Sequence, residues 1–580
     1  MKWKMLPENA AAAQTAAQNA LLPVTAAVLA NRGLTDKDDI QKFIHTSSKD
    51  LPDAFLINDF EKALALLSDA LRTKTKICIY GDYDADGVMS TVILYRGLSH
   101  LGADASFYVP HRVHDGYGLN AAAVERISEN GCRLLVTCDN GIAALDEISL
   151  AKKLGMRVIV LDHHEPIIED GVQKLPCADA VVDCKRTDST YPFREMCAGG
   201  LCYRFIKEFF GYIKVPFPLD RELITFAGIA TVCDIVPLTQ DNRILVKNAL
   251  FLLNRDIKNK GLRILKDMLV KPGGEVTTYT IGFMIGPCIN AVGRLEAASE
   301  AVELFISDNS EKAVEYARLL VQKNTERKEI MNRAAELLIQ KADPSQPVQV
   351  LYAPDVHESV AGLVASRVRE RFYRPTLVIT DSENGCKGSG RSIDEYDLFG
   401  NMSAFRPLFT KFGGHSMAVG FSLPRENIDK LRRSLNESCT LDINEMVPSV
   451  TLECEIPFDE IDLELARQLA ILQPYGKGNE TPRFCTNGID LRTVRFVGAE
   501  KNIAQLTFSN ASGRQVRGIF FNGADSIKEL LAKHQKDGYI QPLENGNTLK
   551  MHLSVDIAYS VEINTYNGTD YLQLNIVDIR

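Results

Sequence analysis

The densest group of acidic residues lies at positions 81–87 (GDYDADG), directly after the short apolar run 76–80 (KICIY). Asp82, Asp84 and Asp86 alternate there, and carboxylates held so close together are costly to keep ionised unless cations neutralise them. An EF-hand calcium loop shares this spacing, but it needs a preceding helix and a Glu at the twelfth position, where this chain has Ile93. The pattern therefore favours a metal site of another kind, at the end of a strand.

Two further apolar runs end in residues of the same chemistry. The run 133–138 (RLLVTC) leads into Asp139, and the run 157–161 (RVIVL) leads into Asp162, His163 and His164. These runs, and a fourth at 180–182, alternate with helical patterns, which predicts βαβ units and a parallel sheet. Ligands collect outside the carboxyl ends of such strands. We therefore expect one crevice to contain Asp84, Asp86, Asp139, His163 and His164, with Asp234 joining from an adjacent helix (230–234, ATVCD).

Each of these residues also has an ordinary structural interpretation. A single Asp after a strand is most often the N-cap of the next helix, and a His pair is most often structural. Capping alone does not explain why imidazole and carboxylate groups concentrate at three successive strand ends. Mixed Asp and His ligands suit Mn²⁺, with Mg²⁺ as the harder-ligand alternative. No cysteine is among these candidate ligands, which counts against structural zinc.

The composition predicts an ordinary soluble protein. With 580 residues, 45% hydrophobic and 24% charged, it predicts several domains of roughly 100–200 residues each. No apolar run approaches the ~18 residues that span a bilayer, and the alanine-rich start lacks a signal-peptide pattern. Thirteen cysteines without a C-x-x-C pair predict a reducing cytoplasm rather than a disulfide scaffold. The net charge of −9 argues against a surface that binds nucleic acid all over, but it is compatible with a local basic groove that does so.

The patterns divide the chain into six parts. Residues 310–342 contain neither Gly nor Pro and predict a helix of roughly 50 Å, a length typical of a connection between two lobes. A second α/β pattern follows this helix, and short β-like runs with polar turns follow residue 446, which favours a small barrel. The predicted parts are an N-terminal helical segment (1–50), a catalytic α/β lobe (51–305), the connecting helix (306–345), a second α/β lobe (346–425), a linker helix (426–447) and a C-terminal barrel (448–580).

The motifs resemble those of a known family. Residues 162–164 (DHH) with 81–87 upstream are similar to the DHH phosphoesterase superfamily, and 286–294 (GPCINAVGR) and 357–367 (HESVAGLVASR) resemble its exonuclease branch. Residues 387–392 (KGSGRS) and 412–415 (FGGH) resemble the companion domain called DHHA1. The resemblance runs from about residue 30 to the C-terminus. It departs from the family pattern at Val356, where Trp is usual, and at Tyr80, where distant relatives carry a ligating His.

The resemblance implies an activity and a site. The activity is 5′→3′ exonucleolytic hydrolysis of single-stranded DNA to mononucleotides, in recombination and DNA repair; the polarity comes from the resemblance alone. Asp139 would bridge two divalent cations, and Asp82 would support the ligands from behind. His164 would either contact a phosphate or donate a hydrogen bond to a ligand from behind. The implied metal ligands are Asp84, Asp86, Asp139, His163 and Asp234. The implied substrate-binding residues are Arg112, Asn290, Arg294, Arg367, Ser389, Arg391, Ser392, Gly414 and His415.

The C-terminal part resembles the OB-type domain of the same family, most clearly at 474–479 (PYGKGN). Such barrels bind single strands by stacking bases on aromatic rings beside basic residues. The available aromatics are Tyr475, Phe484, Phe496, Phe508, Phe520 and Phe521, most of which we expect in the core. Single-stranded DNA is the expected partner of a monomer that binds no membrane, with a single-strand-binding protein and a helicase as further candidates.

Two alternatives remain open at this point. One is a small-substrate phosphoesterase of the same superfamily, although such relatives are shorter and lack the barrel. The other is a binding module that keeps the fold without its metals, which the presence of all five expected ligands disfavours.

Overall fold

The computed structural model describes residues 1–112, 116, 118–295, 297–382, 385–566 and 568–580, without the side chains of Asp537 and Tyr566. The chain forms two compact units. One contains residues 51–447, and the other combines residues 1–50 with 448–580. Within the described parts of the chain, no helix combines the length and the apolar character that crossing a bilayer requires.

The first lobe of the larger unit is built on a parallel sheet, as predicted. The three strands that precede the acidic residues are neighbours in it, and all pairings are parallel. Both faces of these strands are buried, which explains why their sequences are continuous apolar runs rather than alternating ones. In spatial order the strands are Ala105–Tyr108, Ile77–Tyr80, Leu134–Cys138, Arg157–Asp162 and Ala180–Asp183.

Helices cover both faces of this sheet. Apolar residues of the strands and helices form two cores, one on each face of the sheet, and the larger core extends to the start of the long helix. A small hairpin, Ile167–Glu169 with Val172–Lys174, lies outside the main sheet. The helices are Phe60–Arg72, Ala85–His100, Ala121–Glu129, Leu145–Lys153, Ala198–Tyr212, Asp220–Cys233, Gln240–Leu253, Lys260–Leu269, Thr278–Thr280, a π-helical turn at Ile281–Ile285, Gly286–Leu295 and Ser299–Ile306.

The long helix runs over Ser310–Lys341, within one residue of the predicted bounds. Asn309 caps it by accepting hydrogen bonds from the backbone of Glu311 and Lys312. Its 32 residues extend over about 48 Å, and it packs on helices of both lobes.

The second lobe is a five-stranded mixed sheet with helices. In spatial order its strands are Lys411–His415, Ala418–Leu423, Gly385–Arg391, Thr376–Ser382 and Gln349–Tyr352. Its helices are Glu358–Phe372, Leu398–Ser403 and Ile428–Ser438. The last of these differs from the expected linker, because Ile428, Leu431 and Leu435 are buried in the core of this lobe.

The smaller unit contains a closed five-stranded barrel, as predicted. The strands, in order around it, are Phe484–Val497, Ile503–Ser509, Gln515–Phe520, Thr569–Ile579 and Leu549–Tyr566. Its helices are Leu463–Ala470, Ala524–Lys533 and Ile540–Glu544. Of the six aromatics considered for base stacking, Phe521 is exposed and Tyr475 is half-buried, and the other four are buried in the core.

The first fifty residues are not an independent helical segment. The strand Lys2–Met5 pairs in parallel with Ser449–Leu452. The helices Ala12–Asn19, Pro23–Asn31 and Lys37–Ile44 follow it. Val28, Leu29 and Ile40 belong to the barrel's core, so the two ends of the chain complete one domain.

Candidate metal centre and anion pocket

The acidic loop follows the strand Ile77–Tyr80 and leads directly into the helix Ala85–His100. Asp84 caps this helix, because its Oδ1 accepts hydrogen bonds from the backbone N–H groups of Asp86 and Gly87. The ordinary N-cap interpretation therefore holds for Asp84, but its carboxylate also lies in the acidic cluster. Asp82 is buried, and its Oδ1 has no hydrogen-bond partner among the described residues.

Asp139 follows the neighbouring strand and has a left-handed backbone with a φ of 63°. Its backbone N–H donates to the carbonyl of Leu161, which fixes the turn over the adjacent strand. This conformation is uncommon for a residue other than glycine and is several-fold enriched in Asp and Asn. The strained turn points to function, since such conformations cluster at active sites.

His163 connects the carboxylates of three elements. Its Nε2 lies 3.1 Å from Asp139 Oδ1 and 3.6 Å from Asp86 Oδ2, and its Nδ1 lies 3.7 Å from Asp234 Oδ2. Asp234 comes directly after the helix Asp220–Cys233, as the sequence suggested. The predicted meeting of residues from separate strand ends and a helix end is therefore present in the structure.

Three overlapping groups have ligand atoms within 4.8 Å of one another. The groups are Asp82, Asp84 and Asp139; Asp86, His163 and Asp234; and Asp139, His163 and His164. The donors are carboxylate and imidazole, which suit Mn²⁺ and, for the carboxylates, Mg²⁺. The unpartnered buried atoms Asp82 Oδ1 and His163 Nδ1 also fit a cation, because a buried polar atom otherwise loses its hydration without compensation.

Electrostatics within the cluster agree with a site built for cations. Burial, with repulsion from Asp84, raises the pKa of Asp82 to about 8. Burial, with repulsion from Asp234, raises the pKa of Asp86 to about 7. Burial and the neighbouring carboxylates also raise the pKa of Asp139 well above its usual range. Without positive charge nearby, these groups resist ionisation at neutral pH.

The other two residues of the DHH motif have separate roles. Asp162 is buried, and its carboxylate accepts from the backbone N–H groups of Ile142 and His163, so it orders the loops that carry the ligands. His164 Nδ1 lies 2.8 Å from Asp162 Oδ1. Burial alone would lower the pKa of His164, but the Asp162 hydrogen bond and charge raise it to about 9.

Sequence reasoning missed the group that holds Asp86. The backbone N–H groups of Ala198 and Gly199 donate to its Oδ2 and Oδ1 at 2.9 and 2.7 Å. These donors begin the helix Ala198–Tyr212, whose N-terminus favours negative charge. The contact is made by backbone groups, so only the folded chain discloses it.

A pocket of about 600 Å³ lies between the two lobes of the larger unit. It begins beside the acidic cluster, because Tyr83 lines it and lies between Asp82 and Asp84 in the chain. Four of the predicted substrate-binding residues line it, namely Arg112, Arg294, Ser389 and Arg391. Lys387 and Lys411 also line it, and the sequence analysis did not single them out as site residues.

The guanidinium groups in this pocket are held in place by the protein. Arg112 lies over the ring of Tyr83, 4.9 Å from its centroid. Arg294 Nη1 donates to the carbonyl of Ser359 at 2.7 Å, which joins the two lobes. Burial and the neighbouring Arg112 lower the pKa of Arg294 to about 10. These half-buried arginines carry like charges close together, and such a group gains from binding an anion.

Two of the predicted substrate-binding residues are corrected by the structure. Ser392 is buried and donates its hydroxyl to the carbonyl of Tyr396 at 2.6 Å, and it does not line the pocket. The segment before it is a strand, so Lys387, Ser389 and Arg391 share the face that lines the pocket. Arg367 is exposed and pairs with Glu370, away from the pocket.

The remaining three predicted residues lie near the pocket without lining it. Asn290 is half-buried on the helix that carries Arg294. Gly414 and His415 are exposed on the edge strand Lys411–His415. Gly414 allows two strands to approach closely, because a Cβ there would lie 2.3 Å from the carbonyl oxygen of Ala418.

Comparisons with known proteins agree with this architecture. Three protein-family models match the chain: the DHH family N-terminal domain at 76–231, the DHHA1 domain at 345–440 and the RecJ OB domain at 452–578. The first two matches cover the lobes that form the acidic cluster and the pocket. The fold and the site thus define a DHH-family protein with a DHHA1 domain and an OB domain.

Individual relatives narrow the class. The single-stranded-DNA-specific exonuclease RecJ of Bacillus subtilis (strain 168) is 35% identical over 89% of this chain, which spans 65% of that relative's length. RecJ of Salmonella typhimurium is 30% identical, over 96% of both chains. The crystal structure of Thermus thermophilus RecJ with Mn²⁺ has a TM-score of 0.80 at 26% identity, covering 100% of this chain and 79% of that one. Its Mg²⁺ complex, at 25% identity, has a TM-score of 0.74 and covers 100% and 78%. The chain belongs to the RecJ family of exonucleases.

Proposed function

We propose that this protein is a metal-dependent exonuclease that hydrolyses single-stranded DNA in the 5′→3′ direction and releases mononucleotides. The observation that carries the proposal is the acidic cluster with His163 at one sheet edge, continuous through Tyr83 with a basic pocket. Phosphodiester hydrolysis needs both features, since charge develops on oxygens that are already negative. The names and metal complexes of the RecJ relatives support the same activity.

We assign Asp84, Asp86, Asp139, His163 and Asp234 as ligands of two divalent cations, Mn²⁺ or Mg²⁺. Asp139 and His163 each belong to two of the three ligand groups, and of the two only the Asp139 carboxylate offers two oxygens for a shared position. Asp82 shares a group with Asp84 and Asp139, so it becomes a further ligand candidate rather than only a support. When bound by these residues, two cations would supply an activated water and would offset the charge that develops during phosphodiester hydrolysis.

The side chains around the cluster bind and orient the phosphate. In the metal-free protein the Asp162 hydrogen bond and charge, acting against burial, raise the pKa of His164 to about 9, so its Nε2–H is available to donate a hydrogen bond to a phosphate oxygen. Neighbouring phosphates bind to side chains from both lobes of the pocket. These are Arg112 and Arg294 on the first lobe and Ser389 and Arg391 on the second. These contacts read no base, so the enzyme degrades single strands of any sequence.

Strand selectivity follows from the two-lobed cleft. The pocket is lined from both lobes, and Arg294 joins them through Ser359. A cleft closed in this way admits one strand and excludes a duplex. Hydrolysis at equal rates on a blunt duplex and on a single strand would contradict this part of the proposal.

The deciding experiment follows release of mononucleotides from a long 5′-phosphorylated single strand with Mn²⁺, labelled at either end. We expect early release of the 5′ label and no reaction in EDTA. Faster hydrolysis of pyrophosphate than of the strand would instead favour a small-substrate phosphoesterase. Strand binding without hydrolysis would favour a binding module that has lost its activity.

The cellular setting is a further part of the proposal. We place the enzyme in the cytoplasm as a monomer acting in recombination and DNA repair, with a single-strand-binding protein and a helicase as candidate partners. All thirteen cysteines are free thiols, which supports a reducing compartment. Size-exclusion chromatography with light scattering tests the monomer directly.

A further inference from the structure

Two aromatic rings stand exposed on the helical stretch that leads to the anion pocket. Tyr279 and Phe283 are each 65% exposed, and their rings stack with centroids 4.8 Å apart and an angle of 24° between planes. Single exposed aromatics are common on protein surfaces. A stacked pair with both rings open to solvent is a flat apolar surface of the kind that receives another ring system.

The backbone at this pair is irregular for a clear chemical reason. Residues Ile281–Ile285 form a π-helical turn, in which the N–H of Gly286 donates to the carbonyl of Ile281. Pro287 has no N–H to offer the carbonyl of Phe283, so a regular α-helix cannot continue there. Such π-helical turns occur frequently at functional sites.

One face of this stretch connects the aromatic pair to the pocket. Tyr279, Phe283, Pro287, Asn290 and Arg294 recur at intervals of three or four residues, and all five are exposed or half-buried. Gly293, next to Arg294, packs inward, where a Cβ would lie 2.4 Å from the carbonyl oxygen of Tyr83. At 1.5 Å per residue, Tyr279 lies about 22 Å along the helix from Arg294.

The long helix places positive charge beside the same face. Asn324 donates to the Sγ of Cys288, within the Gly286–Leu295 helix, and its Oδ1 accepts from Arg327 at 2.9 Å. The charge of Arg327 is close enough to lower the pKa of Arg294, after the larger effect of burial. Aromatic rings along a basic track are the combination that binds single-stranded nucleic acid without reading its sequence. Here the cations lie at the Arg294 end of the stretch and the two rings at its other end.

We propose that Tyr279 and Phe283 form a stacking platform for bases of the single strand whose terminal phosphates occupy the pocket. This inference rests on the proposed function and adds a second contact point on the catalytic lobe. Two nucleotides at ~3.4 Å each cover roughly 7 Å, so a dinucleotide in the pocket does not reach the platform. A strand of about twelve nucleotides covers roughly 41 Å and does reach it.

The test compares kcat/KM for such a strand with kcat/KM for a dinucleotide, in the wild type and in the double variant Tyr279→Ala/Phe283→Ala. We expect the ratio of long to short substrate to fall about tenfold, as the loss of base stacking on an aromatic ring implies. The exchange Tyr279→Phe/Phe283→Tyr keeps both rings and should keep the ratio. Tyr279→Leu/Phe283→Leu keeps apolar area without rings and should lower the ratio as the alanine pair does.

Phe251→Ala is the matched control, because Phe251 is 52% exposed on another helix of the same lobe and lies outside the pocket. An unchanged ratio in the alanine and leucine pairs would overturn the platform while leaving the nuclease intact. An equal loss on both substrates would also overturn it, since that result indicates a structural effect. A wild type inactive on both substrates would remove the proposed function, and the platform with it.

Discussion

Asp139 is the residue on which the cluster depends most directly. It is buried, shares ligand groups with residues from both neighbouring strand ends, and occupies a left-handed conformation that few side chains tolerate. Its negative charge also repels Asp82, Asp84 and Asp86. The Asp139 carboxylate therefore favours cation binding, and its repulsion of the neighbouring carboxylates destabilises the metal-free protein.

Asp139→Asn should separate these two effects. Asparagine tolerates the same backbone conformation and can still accept from His163, but it carries no charge. We expect hydrolysis to fall at least about a hundredfold, while the Tm of the metal-free protein rises because the carboxylate repulsion is relieved. Activity assays and thermal denaturation in EDTA measure the two effects. Full turnover in excess Mn²⁺ would contradict the assignment of Asp139.

The raised carboxylate pKa values predict how stability depends on pH. Asp82 and Asp86 have folded-state pKa values of about 8 and about 7, raised by burial, against roughly 3.9 in an unfolded chain. Their protonated forms stabilise the metal-free fold below pH ~4, and this contribution is lost as the pH rises through 7–8. The Tm in EDTA should therefore fall between about pH 5 and about pH 8.

Manganese provides the control for that measurement. Bound cations replace the protons, so the increase in Tm on adding Mn²⁺ should be larger at about pH 8 than at about pH 5. Stability in EDTA that does not change over this range would mean that the carboxylates ionise normally and are not held together.

In the first lobe, the sequence predicts the strands that lead to the acidic cluster but not the helix start at Ala198 that holds Asp86. Continuous apolar runs followed by Asp or His located the strands before Asp82, Asp139 and His163, because buried parallel strands leave that pattern. The strand Ala105–Tyr108 escaped prediction, since its sequence ASFY is short and only half-buried. The N–H donors of Ala198 and Gly199 left no trace, because backbone groups are the same in every residue.

The second lobe shows a different limit. The family resemblance of residues 387–392 implies substrate binding by Ser389, Arg391 and Ser392 alike. The structure makes Gly385–Arg391 a strand, so alternation brings Ser389 and Arg391 to the pocket. Ser392 lies just beyond the strand and is buried. The resemblance identified the segment, and the secondary structure decides which of its residues face the pocket.

The helix that holds Asp86 can be tested by glycine substitutions. A Cβ on Gly199 would lie 2.4 Å from the Cβ of Ala230 and 3.1 Å from Asp86 Oδ1. Gly199→Ala should shift the helix start, lower activity severalfold, and lower the free energy of unfolding by about 1–3 kcal/mol through overpacking. Chemical denaturation and the nuclease assay measure both changes.

Gly211 on the same helix provides the matched control, since a Cβ there meets nothing within 4 Å. Gly211→Ala should raise stability by about 0.5–1 kcal/mol through helix propensity and leave activity unchanged. Equal behaviour of the two variants would show that the helix start does not position Asp86.

At the scale of the whole molecule, sequence patterns predict the individual segments but not which of them combine into one domain. The long helix and the barrel follow from local signals, namely the absence of Gly and Pro over 310–342 and short strands after residue 446. The pairing of Lys2–Met5 with Ser449–Leu452 joins segments more than four hundred residues apart. No local pattern encodes such a pairing, so the sequence predicts only a helical segment at 1–50 and not its place in the barrel domain.

This grouping predicts which truncation yields a working enzyme. Residues 51–447 contain the acidic cluster, the pocket and their own cores, so this fragment should fold and hydrolyse a dinucleotide at nearly the full-length kcat. Its KM for a long strand should rise at least about tenfold, because the barrel's contribution to strand binding is lost.

Removing only 448–580 should instead give an aggregating protein, since Val28, Leu29 and Ile40 lose the core that buries them. An unchanged KM in the 51–447 fragment would remove strand binding from the barrel, and a well-behaved 1–447 fragment would show that the first fifty residues do not depend on it.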